Sequence, residues 1–182
     1  VQPIHGKGVR VIWLKGETDM LGALEEVESF GEFAKRNNAV ASTEVKSFEH
    51  LICTEQLSRR LGFKVGEELI RVVRVRSLNG SARQVDHGYF LASIAKGLTP
   101  EIAADSIYGY LEHKRGIKVM ASRRTVSVEL ANDEDCSYLD LGKYNCVAVM
   151  ESQSYTSDGI LFEVTHARTH PEIFHYRVNS KR

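Results

Sequence analysis

The strongest constraint on the fold lies in residues 68–92, where ELIRVVRVRSLNGSARQVDHGYFLA sets two β-rich runs around Asn79-Gly80. Asn-Gly is the preferred pair for a two-residue primed turn, because both central positions need a positive φ that asparagine tolerates and glycine takes freely. Two long antiparallel strands are expected here, and the rest of the chain must pack around them. Asn79-Gly80-Ser81 also spells a glycosylation sequon, but the turn accounts for the same residues.

Other elements follow from periodicity and punctuation. The opening VQPIHGKGVRVIWLKG joins a Gly-rich turn to alternating Val9, Val11 and Trp13, which reads as a strand after a tight turn. GETDMLGALEEVESFGEFAKRNN is acidic, then helix-like, with Leu24, Val27, Phe30 and Phe33 three apart and Asn37-Asn38 as the stop. A strand is expected from Ala39 to Ile52, followed by a short helix capped by Thr54 and ended by Gly62. Thr99-Pro100-Glu101 starts a helix that runs in two pieces to Arg115 and stops at Gly116. IKVMASRRTVSVEL alternates as a strand, and Asn132-Asp133-Glu134 caps a short acidic helix through Leu141. YNCVAVMESQSYT and ILFEVTHARTH form a second hairpin, and IFHYRVNS is a last strand. About six strands with helices inserted between antiparallel pairs predict an α+β domain with a mostly antiparallel sheet flanked by helices.

At 182 residues the chain holds one domain plus a short extra segment, and a chain of this size buries roughly 70% of its unfolded surface without a metal or disulfide. Twenty-four basic and 24 acidic side chains cancel, so overall charge gives no general attraction to nucleic acid or anionic membranes. Cys53, Cys136 and Cys146 lack CxxC spacing; they read as small, partly buried thiols of a reduced, cytoplasmic protein. No apolar run approaches a membrane span and no signal-peptide pattern is present. The chain begins at Val1 and reads as a piece of something longer.

Few residues carry chemistry by spacing alone. Arg74 and Arg76 sit at i, i+2 in a strand and so share a face, while Val73 and Val75 on the other face look like core. Two adjacent guanidiniums repel unless an anion lies between them, which suits a phosphate or carboxylate; a solvated basic face is the other reading. Asp86, on the partner strand, pairs with an arginine across the ladder or binds a ligand hydroxyl. Glu163 alternates with Phe162 and Val164 and is a surface carboxylate or a site residue. Ser29-Phe30-Gly31 and Ser106-Ile107-Tyr108 each place a hydroxyl near a helix start, where it caps the helix or helps hold an anion. His166 and His170 are two pleats apart in a strand, too far for an ordinary shared metal site, so neither metal nor cofactor is expected. No Ser-His-Asp order, P-loop or Gly-x-Gly-x-x-Gly stands in the chain, and no catalytic residue is expected.

The order of these segments resembles the UTRA effector-binding domain that follows the winged helix in HutC-type regulators of the GntR superfamily. The resemblance is carried by HGKG at His5 to Gly8, SFGEF, RVVRVR with its Asn-Gly turn, DHGYF, SIYGYLE, DEDCSYLDL and FEVTHAR. It implies a chorismate lyase-like fold and makes residues 1–16 the remnant of a winged-helix wing and 17–182 the effector-binding domain. Within the family, EIAADSIYGYLE, RRTVSVEL, DEDCSYLDLGKY and FEVTHAR resemble trehalose-operon repressors, which release DNA on binding trehalose 6-phosphate.

Carried over residue by residue, the resemblance assigns Arg74 and Arg76 to the grip on the ligand's anionic group, with Ser29, Phe30 and Gly31 lining the same pocket. It assigns Asp86, Ser106, Tyr108 and Glu163 to the rest of the ligand. Asp86 stands where many relatives have glutamate, and Thr169 where many have tyrosine, so the sugar end departs from the family pattern. The implied protein is not an enzyme but a homodimeric repressor module that binds an anionic effector. Operator DNA is implied to be read by the missing winged helix, with dimer contacts from exposed sheet edges and apolar strands such as VAVM. The competing effectors are N-acetylglucosamine 6-phosphate and related hexosamine phosphates, or a carboxylic acid such as urocanate. The competing classes are a ligand-free dimerisation module and an enzyme of the chorismate lyase type.

Overall fold

The computed structural model describes residues 28–176, together with the backbones of Gln2–Ile4, Gly8–Arg10 and Leu21–Gly22. The three short backbone segments are strands β1, β2 and β3, and the longer strands are β4 (Ala41–Ile52), β5 (Glu68–Leu78), β6 (Ser81–Leu91), β7 (Val119–Leu130), β8 (Cys146–Thr156) and β9 (Leu161–Thr169). A two-residue β10 (His175–Tyr176) follows. The helices are α1 (Phe30–Arg36), α2 (Glu55–Leu61), α3 (Pro100–Ala104), α4 (Ile107–Arg115) and α5 (Asp133–Tyr138). The six long strands form one antiparallel sheet in the order β4-β5-β6-β9-β8-β7. This is the α+β architecture expected from the strand count.

The central hairpin forms as its turn residues require. Asn79 and Gly80 have φ of 51° and 83°, both in the left-handed region. The Asn79 side chain also accepts a hydrogen bond from the Val40 amide at 2.9 Å, tying the turn to the start of β4. Thr54 and Gly62 bound α2, Thr99 and Ser106 cap α3 and α4, Gly116 ends α4, and Asn132 caps α5 with a reciprocal box to Asp135.

Both faces of the sheet are covered. On one, Val72 and Phe90 pack with Ala103, Ile107 and Leu111 of α3 and α4. On the other, Val73, Val85, Val147 and Val149 pack under Leu139 and Leu141 at the exit of α5. A smaller cluster joins Ala34 of α1 to Leu78 and Ile173. Each such fully buried side chain contributes about 1.5–3 kcal/mol of apolar burial.

Several expectations are corrected. The first helix begins at Phe30, because the Ser29 side chain caps it there; Leu24 and Val27 lie outside the described residues. The acidic helix stops at Tyr138, where Leu139 turns extended and buries its side chain in the core. Pro171 opens a 3₁₀ turn over Pro171–Ile173, so the last strand starts at His175 rather than Ile173; His175–Tyr176 pairs in parallel with β3, and Arg177–Ser180 lie outside the described residues. VAVM is not an edge: β8 lies between β7 and β9, and Val147 to Met150 are buried. The apolar edge is β7, whose Met120, Val126, Val128 and Leu130 are 45–75% exposed. Cys136 is exposed rather than partly buried. β1 and β2 pair antiparallel, Gln2 opposite Arg10, while the expected HGKG tip and the division at residue 16 lie outside the described residues. Among the described residues no helix is long and apolar enough to cross a membrane.

One buried ion pair locks α5 to the sheet. Arg168 Nε on β9 donates to both oxygens of the fully buried Asp135 at 2.9 and 3.0 Å, and Nη2 donates to the Leu130 carbonyl at 3.2 Å. Without Asp135 the buried Arg168 guanidinium keeps only the half-exposed Glu129 carboxylate and the Leu130 carbonyl, and one-sided loss of a buried partner is strongly destabilising. Asp135→Ala is expected to cost about 3–5 kcal/mol, read by urea unfolding; a loss below about 1 kcal/mol would show the pair to be dispensable.

Candidate functional site

On the face covered by α3 and α4, a cavity of about 420 Å³ opens between the sheet, α1 and the α3–α4 junction. That size suits a small organic ligand. All nine residues singled out from the sequence line it: Ser29, Phe30, Gly31, Arg74, Arg76, Asp86, Ser106, Tyr108 and Glu163.

Antiparallel register builds one end. Arg74 is directly opposite Asp86, and Arg76 is one pleat further along β5. Asp86 Oδ2 accepts from Nη2 of both arginines, from Arg76 at 2.7 Å. The basic pair is therefore no solvated face: Arg74 is buried, and its Nη1 also reaches the Ala103 carbonyl at 3.5 Å. The Arg76 guanidinium lies 5.2 Å from the centre of the Phe30 ring, a cation–π contact that brings the start of α1 over the pair. Burial acts to raise the Asp86 carboxyl, and the two guanidiniums override it and hold it at about 2. One carboxylate against two guanidiniums leaves an excess of one positive charge at this end.

The other end is a hydroxyl and carboxyl cluster. The Tyr108 hydroxyl donates to Glu163 Oε2 and lies 3.1 Å from Ser154 Oγ. Burial pushes the Glu163 carboxyl up, and burial together with the Glu163 charge pushes Tyr108 well above its usual range. Tyr108 thus keeps its proton and serves as donor. The two serines at helix starts are caps: Ser29 Oγ accepts from the Glu32 amide at 3.3 Å and Ser106 Oγ from the Gly109 amide at 3.0 Å. Thr169 is buried on the cavity wall, with Oγ1 3.4 Å from Gln84 Oε1.

The sequence reading missed the contribution of β7 and β8. Ser122, Arg124 and Ser152 also line the cavity. Alternation within RRTVSVEL gave the face of each residue but not the strand beside it, so nothing in the local pattern placed them near Arg74.

Among the described residues three buried side-chain polar atoms lack a hydrogen-bond partner: Arg74 Nε, Arg76 Nε and Ser122 Oγ. All three residues line this cavity. An unsatisfied buried donor costs about 1–3 kcal/mol, so such groups are rare and gather where a ligand completes them. A second cavity of about 580 Å³ lies on the opposite face, where several of the polar side chains are already partnered. Arg71 pairs with Glu49 at 3.1 Å, His87 with Glu134 at 2.9 Å, and Arg168 with Asp135.

Comparison with known proteins agrees with this geometry. A family model of the UTRA domain matches residues 36–175. The HTH-type transcriptional regulator TreR of Bacillus subtilis is 27% identical over 176 residues, spanning 97% of this chain and 73% of that protein. The solved effector binding domain of the B. subtilis trehalose repressor superposes with a TM-score of 0.68 at 27% identity, covering 78% of this chain and 98% of that one. The transcriptional regulator YydK of B. subtilis superposes with a TM-score of 0.81 at 22% identity, over 99% of this chain and 75% of that one, a likeness of fold. With its model matched over most of the sheet and TreR itself a transcriptional regulator, the chain belongs to the UTRA domain family, as an effector-binding domain of a GntR/HutC-type transcription regulator.

Proposed function

We propose that the domain senses a phosphorylated sugar, trehalose 6-phosphate by preference, and that its binding releases a repressor from operator DNA held by a winged helix outside the described residues. The observation that carries this reading is the Arg74–Asp86–Arg76 cluster: one surplus positive charge and two partnerless guanidinium N–H groups at one end of a closed cavity. A phosphate offers several acceptor oxygens to such paired donors. The Tyr108–Ser154–Glu163 cluster offers both donors and acceptors at the other end, which suits sugar hydroxyls. The 27% identity to TreR supports trehalose 6-phosphate over the hexosamine phosphates and urocanate. No nucleophile or metal is needed for this role. A differential affinity of about 1–3 kcal/mol between two protomer arrangements is enough to regulate.

We also place the homodimer contact on β7. Its exposed Val126, Val128 and Leu130 share one face of an edge strand, so a second copy would bury an apolar stripe otherwise in water.

A thermal-shift series against trehalose 6-phosphate, glucose 6-phosphate, N-acetylglucosamine 6-phosphate, urocanate and inorganic phosphate tests the ligand. At 100 times its dissociation constant an effector adds about 2.7 kcal/mol, a rise of about 5–10 °C for a domain of this size. The rise should be lost in Arg76→Ala, which leaves Asp86 paired with Arg74; a rise that survives it, or no rise with any compound, discards the anion clamp.

Acid stability follows from Asp86. A carboxyl held at about 2 in the folded state and near 3.9 unfolded contributes stability that is complete above about pH 4 and lost as pH falls toward 2. Melting between pH 5 and 2 should show a loss of about 2 kcal/mol from this group; the same acid limb in Asp86→Asn as in the wild type would contradict it. For the dimer, Val128→Asp should shift sedimentation from dimer to monomer, and an unchanged dimer would move the interface elsewhere.

A further inference from the structure

We propose that Ser122 and Arg124 of β7 form the far end of the binding site, so that the effector is an elongated polyhydroxylated anion held at both ends. This rests on the anion-binding reading of Arg74 and Arg76 and adds a length requirement to it. The register places Glu163, Ser154 and Ser122 in one row across β9, β8 and β7, and Thr165, Ser152 and Arg124 in the next. Directly opposed residues share a face in an antiparallel sheet, so the two rows form a continuous floor of hydroxyls ending in one guanidinium.

The first row is only partly satisfied within the protein. Ser154 is within hydrogen-bond distance of Tyr108, and Tyr108 donates to Glu163, so that cluster is complete without a ligand. Ser122 is one strand further out in the same row, and its hydroxyl is buried with no partner. Arg124 lies in the next row of the same face, half-buried and lining the same cavity. A hydroxyl donates and accepts, while a guanidinium only donates. Together they suit a sugar hydroxyl beside an ether or ring oxygen, not a second phosphate alone.

Distance supplies the length requirement. From β5 to β7 the sheet takes four interstrand steps, and Ser122 lies four residues along β7 from Val126, which shares the Arg74 row, so the Arg74 and Ser122 backbones are roughly 23 Å apart along the floor. A single phosphorylated ring anchored on the arginines meets the Tyr108–Glu163 cluster and ends there. A second ring continues the line to β7 and gives Ser122 its missing partner.

Calorimetric titration of this chain with trehalose 6-phosphate and glucose 6-phosphate tests the proposal. The two-ring compound should bind at least roughly tenfold tighter, and Ser122→Ala and Arg124→Ala should each weaken it on the order of tenfold while leaving the one-ring compound unchanged. Ser122→Ala should melt at or above the wild-type temperature, because it removes a hydroxyl that bonds to nothing in the protein. Equal binding of the two-ring compound in both variants and wild type, or equal weakening of both compounds, overturns the far end. If that happens while Arg76→Ala still abolishes binding, the anion clamp stands alone. Binding that survives Arg76→Ala, or wild-type protein that takes neither compound, overturns clamp and far end together.

Discussion

Two guanidiniums buried against one carboxylate set the terms for the rest of this structure. Arg74 and Arg76 are on the same face of β5 because they are two residues apart, and the Asn79-Gly80 turn fixes the register that puts Asp86 opposite Arg74. Asp86 alone cannot balance both cations, and Arg74 is almost entirely buried. A folded protein keeps such a surplus only where something else requires it. The neutral overall charge makes the point sharper: with 24 acidic and 24 basic side chains the chain has as many carboxylates as cations, yet this buried pair of guanidiniums is given one between them.

The same cluster joins elements that are distant in the sequence. Arg76 is held by Asp86 on one side and by the Phe30 ring on the other, so α1 senses any change in its position. Arg74 touches the carbonyl of Ala103 at the end of α3, one turn before the Ser106 cap of α4. An anion that takes the free Nε groups competes with Asp86 for the guanidiniums, and its effect passes to α1 and to the α3–α4 junction by direct contact. No long pathway is needed. α1 also packs through Ala34 on Leu78 and on Ile173 of the 3₁₀ turn.

What the sequence made legible was local. The Asn-Gly turn, the Thr54, Ser106 and Asn132 caps and the stops at Gly62 and Gly116 each involve a few neighbouring residues, and all formed where expected. The same-face placement of Arg74 and Arg76 needed only a period of two. What stayed hidden was pairing between segments far apart. VAVM looks like an edge strand until β7 is found outside it, and Ser122 looks like an ordinary strand serine until β8 brings it to Glu163. Arg168 and Asp135 are 33 residues apart and form a buried pair on the opposite face, with no local signal that joins the two positions. That the nine candidate residues gather around one cavity was legible only because the resemblance supplied the missing long-range register.

Ser29 and Ser106 show where local and functional readings converge. Each was open to two explanations from spacing, helix cap or ligand contact, and each hydroxyl is engaged as a cap while its residue lines the cavity. These are consecutive demands on one residue rather than competing ones. A capped helix start is rigid, and a rigid start holds Phe30 over Arg76 and Tyr108 against Glu163 without further entropy to lose when a ligand arrives. Ser122 is the opposite case. It caps nothing, pairs with nothing and sits in the middle of a strand that would be as stable with alanine there, so its hydroxyl has no structural reason to be buried. The serines that hold the fold together and the serine that does not are thus separated by their hydrogen bonds, and it is the unbonded one that points to what the cavity is built to receive.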